Sequence, residues 1–150
     1  MDKPFVLLAD DNEGTCTLIT ALLQPQFQVD LAMDGLEAIE KLKARHYTVI
    51  ILDLVMPVAD GYVVLDWLKD ERPDLLPRVL VVTASISQRQ LARVGTYAIA
   101  GLMTKPFEID ELHSRVRQIA GEDTLSPLRG PLFSSGMLLL LADFLRQRLL

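Results

Sequence analysis

The chain has 150 residues, half of them hydrophobic, and a formal net charge of −5, the size of one domain with a sizeable core and an appendage. That balance excludes the basic stripe of a nucleic-acid binder: Lys3, Lys41, Lys43, Arg45 and Lys69 are scattered among acids and read as solvated surface. The single Cys16 excludes an internal disulfide and fits a reducing cytoplasm, where it reads as a small, half-buried helix residue.

Met1-Asp2-Lys3-Pro4 opens a segment that meets an acidic pair too early for a signal peptide, and no apolar run reaches the ~20 residues that span a bilayer. Phe5 to Ala9 is continuously apolar, as in a strand covered on both faces. Asp10-Asp11-Asn12 follows, then a helical pattern through Leu18, Ile19, Leu22 and Leu23 that Pro25 stops. Phe27 to Ala32 alternates and predicts a second strand nearer an edge. Asp34 and Glu37 form an acidic capping box that opens a helix through Ala38, Ile39 and Leu42. Val49 to Leu52 predicts a third buried strand ending on Asp53, and Gly61 to Lys69 a short helix. Val79 to Val82 predicts a fourth strand ending on Thr83, with Ser87 capping a helix to about Tyr97. Gly101 to Thr104 predicts a fifth strand. Lys105-Pro106 forces a turn, and Ile109, Leu112, Val116, Ile119 and Ala120 line one face of a last helix.

Five strands alternating with five helices predict an α/β fold, a doubly wound parallel sheet with helices on both faces. Such sheets bind ligands at the carboxyl ends of their strands. Asp10, Asp11, Asp53, Thr83 and Lys105 all fall at those ends. Taken singly, each is an ordinary turn, cap or solvated residue; their shared edge is what gives them meaning together. Three neighbouring carboxylates at about 5 Å and an effective dielectric near 20 repel by roughly 3 kcal/mol per pair. They stay ionised only beside a cation, and an all-oxygen donor set without His or Cys selects Mg²⁺ or Mn²⁺. A metal, the Lys105 ammonium and the Thr83 hydroxyl would clamp the oxygens of a transferring phosphoryl group, with Asp53 as the nucleophile that forms an acyl phosphate.

These residues resemble the response-regulator receiver domain of two-component signalling. The resemblance runs from about Lys3 to Ala120. It rests on Val6-Leu7-Leu8-Ala9-Asp10-Asp11-Asn12, Ala32-Met33-Asp34-Gly35-Leu36-Glu37-Ala38, Ile50-Ile51-Leu52-Asp53-Leu54-Val55-Met56-Pro57-Val58-Ala59-Asp60-Gly61, Val81-Val82-Thr83-Ala84 and Leu102-Met103-Thr104-Lys105-Pro106-Phe107. It implies a flavodoxin-like (βα)5 fold and a cytoplasmic signalling domain, not an enzyme, that assists its own phosphotransfer and dephosphorylation. Asp53 would be the phosphoacceptor. Asp11 and Asp53 would ligate the metal directly, Asp10 through water, and Val55 through its carbonyl. Thr83 would bond the phosphoryl group, Lys105 would pair with it, Lys105-Pro106 would be cis, and Gly61 would relieve strain after Asp53. A histidine kinase or phosphotransfer protein would donate the phosphoryl group, and the face around the fourth helix, fifth strand and fifth helix would switch for a downstream protein partner or an output domain missing here. Two positions depart from the family pattern: Leu102 replaces an aromatic switch residue, and Ala98 stands for a glycine near the end of the fourth helix. Two other readings remain, a phosphorylation-independent interaction module and a magnesium-dependent aspartyl-phosphate phosphatase. Against the second, Val55 occupies the position where such enzymes place a second Asp. A nucleotide-binding domain would need a Gly-rich loop after the first strand, and there is none.

The predicted domain covers residues 1–121. Residues 122–136 have a linker composition, with Ser126-Pro127, Gly130-Pro131 and Ser134-Ser135-Gly136. Residues 137–150 predict an amphipathic helix too short for a membrane span. Met137, Leu138, Leu141, Ala142, Leu145 and Leu149 share one face, with Arg148 falling inside it. Such a stripe must be buried, and pairing with a second copy is the expectation. No room remains for a DNA-binding helix-turn-helix.

Overall fold

The computed structural model describes residues 2–84 and 86–121. Five strands, β1 (Phe5–Ala9), β2 (Gln28–Ala32), β3 (Val49–Leu52), β4 (Val79–Thr83) and β5 (Gly101–Thr104), alternate with α1 (Glu13–Leu23), α2 (Gly35–Ala44), α3 (Gly61–Glu71), α4 (Gln88–Val94) and α5 (Ile109–Ala120). The strands form one sheet in the order β2-β1-β3-β4-β5, parallel throughout. This is the doubly wound, flavodoxin-like architecture. The linker and tail expected at 122–136 and 137–150 lie outside the described residues.

The apolar runs are continuous because both faces of the sheet are covered. Leu7, Ala9, Ile50, Leu52, Val79 and Val81 point into a core shared with α2, α3 and Val94 of α4. The alternate residues Val6, Leu8, Val49, Ile51, Leu80 and Val82 point into a second core with α1 and α5. Burying each of these side chains contributes about 1.5–3 kcal/mol, so a polar residue cannot occur inside the runs, only where they end. The chain starts in the middle, steps out to β2, and returns past β1 to β3. The carboxyl ends of β1 and β3 therefore flank the point where the strand order reverses, where open α/β sheets leave a crevice.

The structure corrects several boundaries. β2 starts at Gln28; Phe27 precedes it and is buried in the α1/α5 core. α3 continues to Glu71, and a 3-10 helix, Pro73–Arg78, links it to β4. α4 stops at Val94 with Gly95 as its C-cap, so Ala98 lies beyond the helix. Tyr97 has left the helix; its hydroxyl donates to Asp66 of α3. The capping box of α2 is only half reciprocal. Asp34 accepts from the Glu37 amide, but the Glu37 carboxylate reaches past the cap to the amide of Met33, at 3.1 Å. Ser87 and Gln90, by contrast, form a complete box at the start of α4. Among the described residues, no helix is long and apolar enough to cross a membrane.

Candidate functional site

Three of the strand-end residues are each fixed by a main-chain bond that prolongs the sheet. The Asp10 amide donates to the Ala32 carbonyl at 3.0 Å, the Asp53 amide to Ala9 at 2.9 Å, and the Lys105 amide to Thr83 at 2.7 Å. Backbone pairing, rather than loop packing, thus sets where these side chains start. Asn12 secures the loop after β1. Its side chain caps α1 by accepting from the Thr15 amide, while its own amide donates to Asp10 Oδ1 at 2.8 Å. Cys16, buried rather than half-buried, donates its thiol to the Asp10 carbonyl.

The side chains converge on two carboxylates. Thr83 Oγ1 donates to Asp53 Oδ1 at 2.8 Å, and the Val55 amide donates to the same oxygen at 3.2 Å. Lys105 Nζ donates to Asp53 Oδ2 at 3.2 Å and to Asp10 Oδ2 at 2.6 Å. Asp10, Asp53 and Thr83 are buried and Asp11 is exposed. All five strand-end residues expected from the sequence are therefore on one edge, with four of them in direct contact. Burial pushes the Asp10 carboxyl above its ordinary range, although Lys105 works against that shift. Burial also acts to lower Lys105, but the hydrogen bond and charge of Asp10, then those of Asp53, outweigh it and hold the ammonium above its ordinary value. The carboxylate repulsion expected from sequence is thus partly neutralised from within: one lysine bonds two of the three carboxylates.

That leaves a net negative site. Asp10, Asp11 and Asp53 each offer an oxygen, all within 4.8 Å of one another. Three hard oxygen donors with Asp11 open to solvent suit a small divalent cation that keeps some of its waters.

Two glycines bring the neighbouring loops against the site. A methyl group on Gly61 would lie 2.4 Å from the Asp53 carbonyl oxygen and 2.8 Å from Leu54 Cα. Its φ is not positive, so the reason for glycine is close approach of backbone, not relief of strain. Gly35 permits a similar approach in the adjacent loop, its amide donating to the Ala59 carbonyl at 2.7 Å. The strained residue is instead Val58, a β-branched side chain at φ 67°, 80% exposed on the loop between β3 and α3. Lys105-Pro106 is cis. Leu102 is partly buried against the core on the α2–α4 side. Sequence reasoning did not assign Asn12 or Gly35 to the site. Asn12 carried a signal, since Asn before an amphipathic run is an N-cap; the Val58 conformation carried none.

A family model described as the response regulator receiver domain matches residues 6–117. The chain is 28% identical over 128 residues to the probable transcriptional regulator ycf29 of Porphyra purpurea, with 84% of this chain and 60% of that protein covered. It is 33% identical over 116 residues to hybrid signal transduction histidine kinase D of Dictyostelium discoideum, with 77% of this chain but 7% of that protein covered. The chain thus spans only a portion of the length of both curated relatives. Among solved structures, the receiver domain of Francisella response regulator 1452 superimposes with a TM-score of 0.71 at 29% identity, covering 81% of this chain and 99% of that one. The receiver domain of sensor histidine kinase PA1611 from Pseudomonas aeruginosa PAO1 superimposes with a TM-score of 0.71 at 25% identity, covering 79% and 98% respectively; that structure has a magnesium ion coordinated in its active-site cleft.

Proposed function

Since the chain belongs to the response regulator receiver family, a signalling family of two-component systems, we propose that Asp53 accepts a phosphoryl group from a histidine kinase or phosphotransfer protein. The observation that carries this reading is the division of labour at one carboxylate: Thr83 holds Asp53 Oδ1 and Lys105 holds Asp53 Oδ2. Donors that bind a carboxylate's two oxygens lie where they can bind the oxygens of a phosphoryl group attached to it. One Asp53 oxygen forms the new bond to phosphorus, and the bond from phosphorus to the donor breaks, its electron pair leaving with the donor. Lys105 and Thr83 then hold the transferred oxygens in place, and the Asp53 main chain, pinned to Ala9, keeps the acceptor in line.

Asp10, Asp11 and Asp53, with the Val55 carbonyl, would hold Mg²⁺ or Mn²⁺, and the donor chemistry fits. When bound, such an ion supplies positive charge to the phosphoryl oxygens. The readout is a change around α4, β5 and α5 that a downstream protein or output domain recognises. Leu102 lacks a hydroxyl, and Thr83 already bonds Asp53, so we expect a smaller rearrangement here than an aromatic residue at Leu102 would allow.

Intact-mass spectrometry after mixing with a small phosphodonor and Mg²⁺ tests the proposal. The chain should gain one phosphoryl group and Asp53→Asn none. An equal gain in the variant would move the acceptor elsewhere, and no gain in either protein would favour a phosphorylation-independent interaction module.

A further inference from the structure

Little of α4 is buried. Val94 is its one buried residue, and Leu91 is exposed. Its polar partners lie on α3, which is firmly seated: Val64, Leu65 and Leu68 are fully buried, and the Gly61 amide donates to the Leu54 carbonyl at 3.0 Å, next to Asp53. Tyr62, Asp66 and Lys69 recur along α3 at helical spacing and share one face. That face meets the end of α4. The Tyr97 hydroxyl donates to Asp66 Oδ1. Arg93 Nη2 lies 4.0 Å from Asp66 Oδ2, and its guanidinium sits 3.8 Å from the Tyr62 ring centroid. Lys69 Nζ lies 6.0 Å from the Tyr97 ring centroid. Tyr97 is past the helix but fixed to its end, because the amides of Thr96 and Tyr97 donate to the Arg93 and Val94 carbonyls, both at 3.1 Å.

We propose that Asp66 latches α4 to α3 through Tyr97 and Arg93, and that this latch sets how far α4 moves when Asp53 is phosphorylated. The second half rests on the phosphoacceptor reading of Asp53; the first does not. α4 is tied at both ends. Its front end follows, by a short connection, from Thr83, whose hydroxyl bonds Asp53. Its back end is tied to Asp66. A phosphoryl group on Asp53 that takes Thr83 as its partner pulls at the front end, and the latch resists at the back. The Tyr97 bond suits that role, because an ionised acceptor makes a hydrogen bond roughly twice as strong as a neutral one, and Tyr97 is buried. With a single buried side chain, α4 has little else to oppose the pull. Tyr62 contributes its ring alone, since its hydroxyl is buried and has no hydrogen-bond partner among the described residues.

Amide hydrogen exchange on the full chain tests both halves. Without a phosphodonor, Tyr97→Phe and Asp66→Ala should each speed exchange of residues 88–97 by at least ~10-fold, with β1 and β3 unchanged. The double variant should exchange no faster than Asp66→Ala alone, because the two side chains make one bond. Tyr62→Phe removes a hydroxyl that bonds nothing and should leave α4 as it is. An unchanged α4 in Tyr97→Phe, a double variant whose effects multiply, or a Tyr62→Phe variant as fast as Tyr97→Phe would each overturn the latch. The second arm adds Mg²⁺ and beryllofluoride as the probe for a phosphoryl group. Exchange of residues 88–97 should then change by less than about 3-fold in wild type and by more than about 10-fold in Tyr97→Phe. Equal responses in the two proteins, with residues 53–61 protected by the probe in both, overturn the second half alone. A probe that protects residues 53–61 in neither protein removes the phosphoacceptor reading and the second half with it, whereas the latch is judged by the first arm.

Discussion

Lys105 lies 2.6 Å from Asp10 but 3.2 Å from Asp53, so its ammonium leans toward the metal side of the site rather than toward the proposed phosphoacceptor. The same lysine then has two roles that compete with each other. It neutralises Asp10 when no cation is bound, and under the proposed function it would also serve the phosphoryl group on Asp53.

Competition between lysine and metal follows from that position. Replacing Lys105 with Met should tighten Mg²⁺ binding by about tenfold, since one positive charge leaves a cluster the ion must enter. The same variant should accept a phosphoryl group more slowly. Titration of Mg²⁺ by calorimetry reads the first effect; weaker binding in Lys105→Met would show that the ammonium organises the carboxylates instead of competing for them.

Asp10 sets a pH dependence with a definite sign. Burial raises its folded-state pKa above the ordinary 3.8, so the stability it contributes is fully present below that value and is lost as pH rises through the folded-state pKa. Metal-free protein should therefore lose stability over that window relative to Asp10→Asn, and the variant should melt higher than wild type near neutral pH. Saturating Mg²⁺ should reverse the order of the two proteins. Melting curves in chelator and in Mg²⁺ across about pH 4–7, a range chosen around the ordinary carboxylate value, give the comparison. A variant that melts lower without metal would mean that the lost bond to Lys105 outweighs the relief of burial.

Two glycines should respond in opposite directions. Gly61→Ala forces a methyl against the Asp53 carbonyl and Leu54 Cα, main-chain atoms that cannot turn aside. It should cost about 2–3 kcal/mol and depress phosphorylation of Asp53. Gly14→Ala on α1 meets only the Asn12 side chain at 3.4 Å and should stabilise by up to about 1 kcal/mol through helix propensity. Chemical denaturation of the two variants checks both signs.

Cys16 should be inert in the folded chain. Burial first, and then the charge of Asp10, push its thiol up to about 11, so at about pH 8 roughly one molecule in a thousand carries the thiolate. Alkylation should be slow for the native protein and at least ~100-fold faster in denaturant. Fast native alkylation would indicate that α1 opens readily.

The sheet and the chemistry of its edge were legible in the order of residues. Runs such as Val49 to Leu52 are apolar at every position, which only a strand covered on both faces requires, and Asp53 must come where that run stops. The alternation of five such runs with amphipathic stretches was enough to bring Asp10, Asp53, Thr83 and Lys105 to one side. Element ends were less legible where long-range contacts override local pattern. Tyr97 continues the apolar period of α4, yet its hydroxyl is held by Asp66 of α3, and the helix has already stopped at Val94. Finer matters were settled by packing. Gly61 had to be glycine because the main chain leaving β3 passes 2.4 Å from where its Cβ would be, a distance with no local trace. The sharing of Lys105 between Asp10 and Asp53 depends on residues 95 and 52 positions away in the chain. Periodicity reports which face a residue belongs to; it carries no information on which atoms from distant segments meet there, because those distances are set by packing of the whole domain.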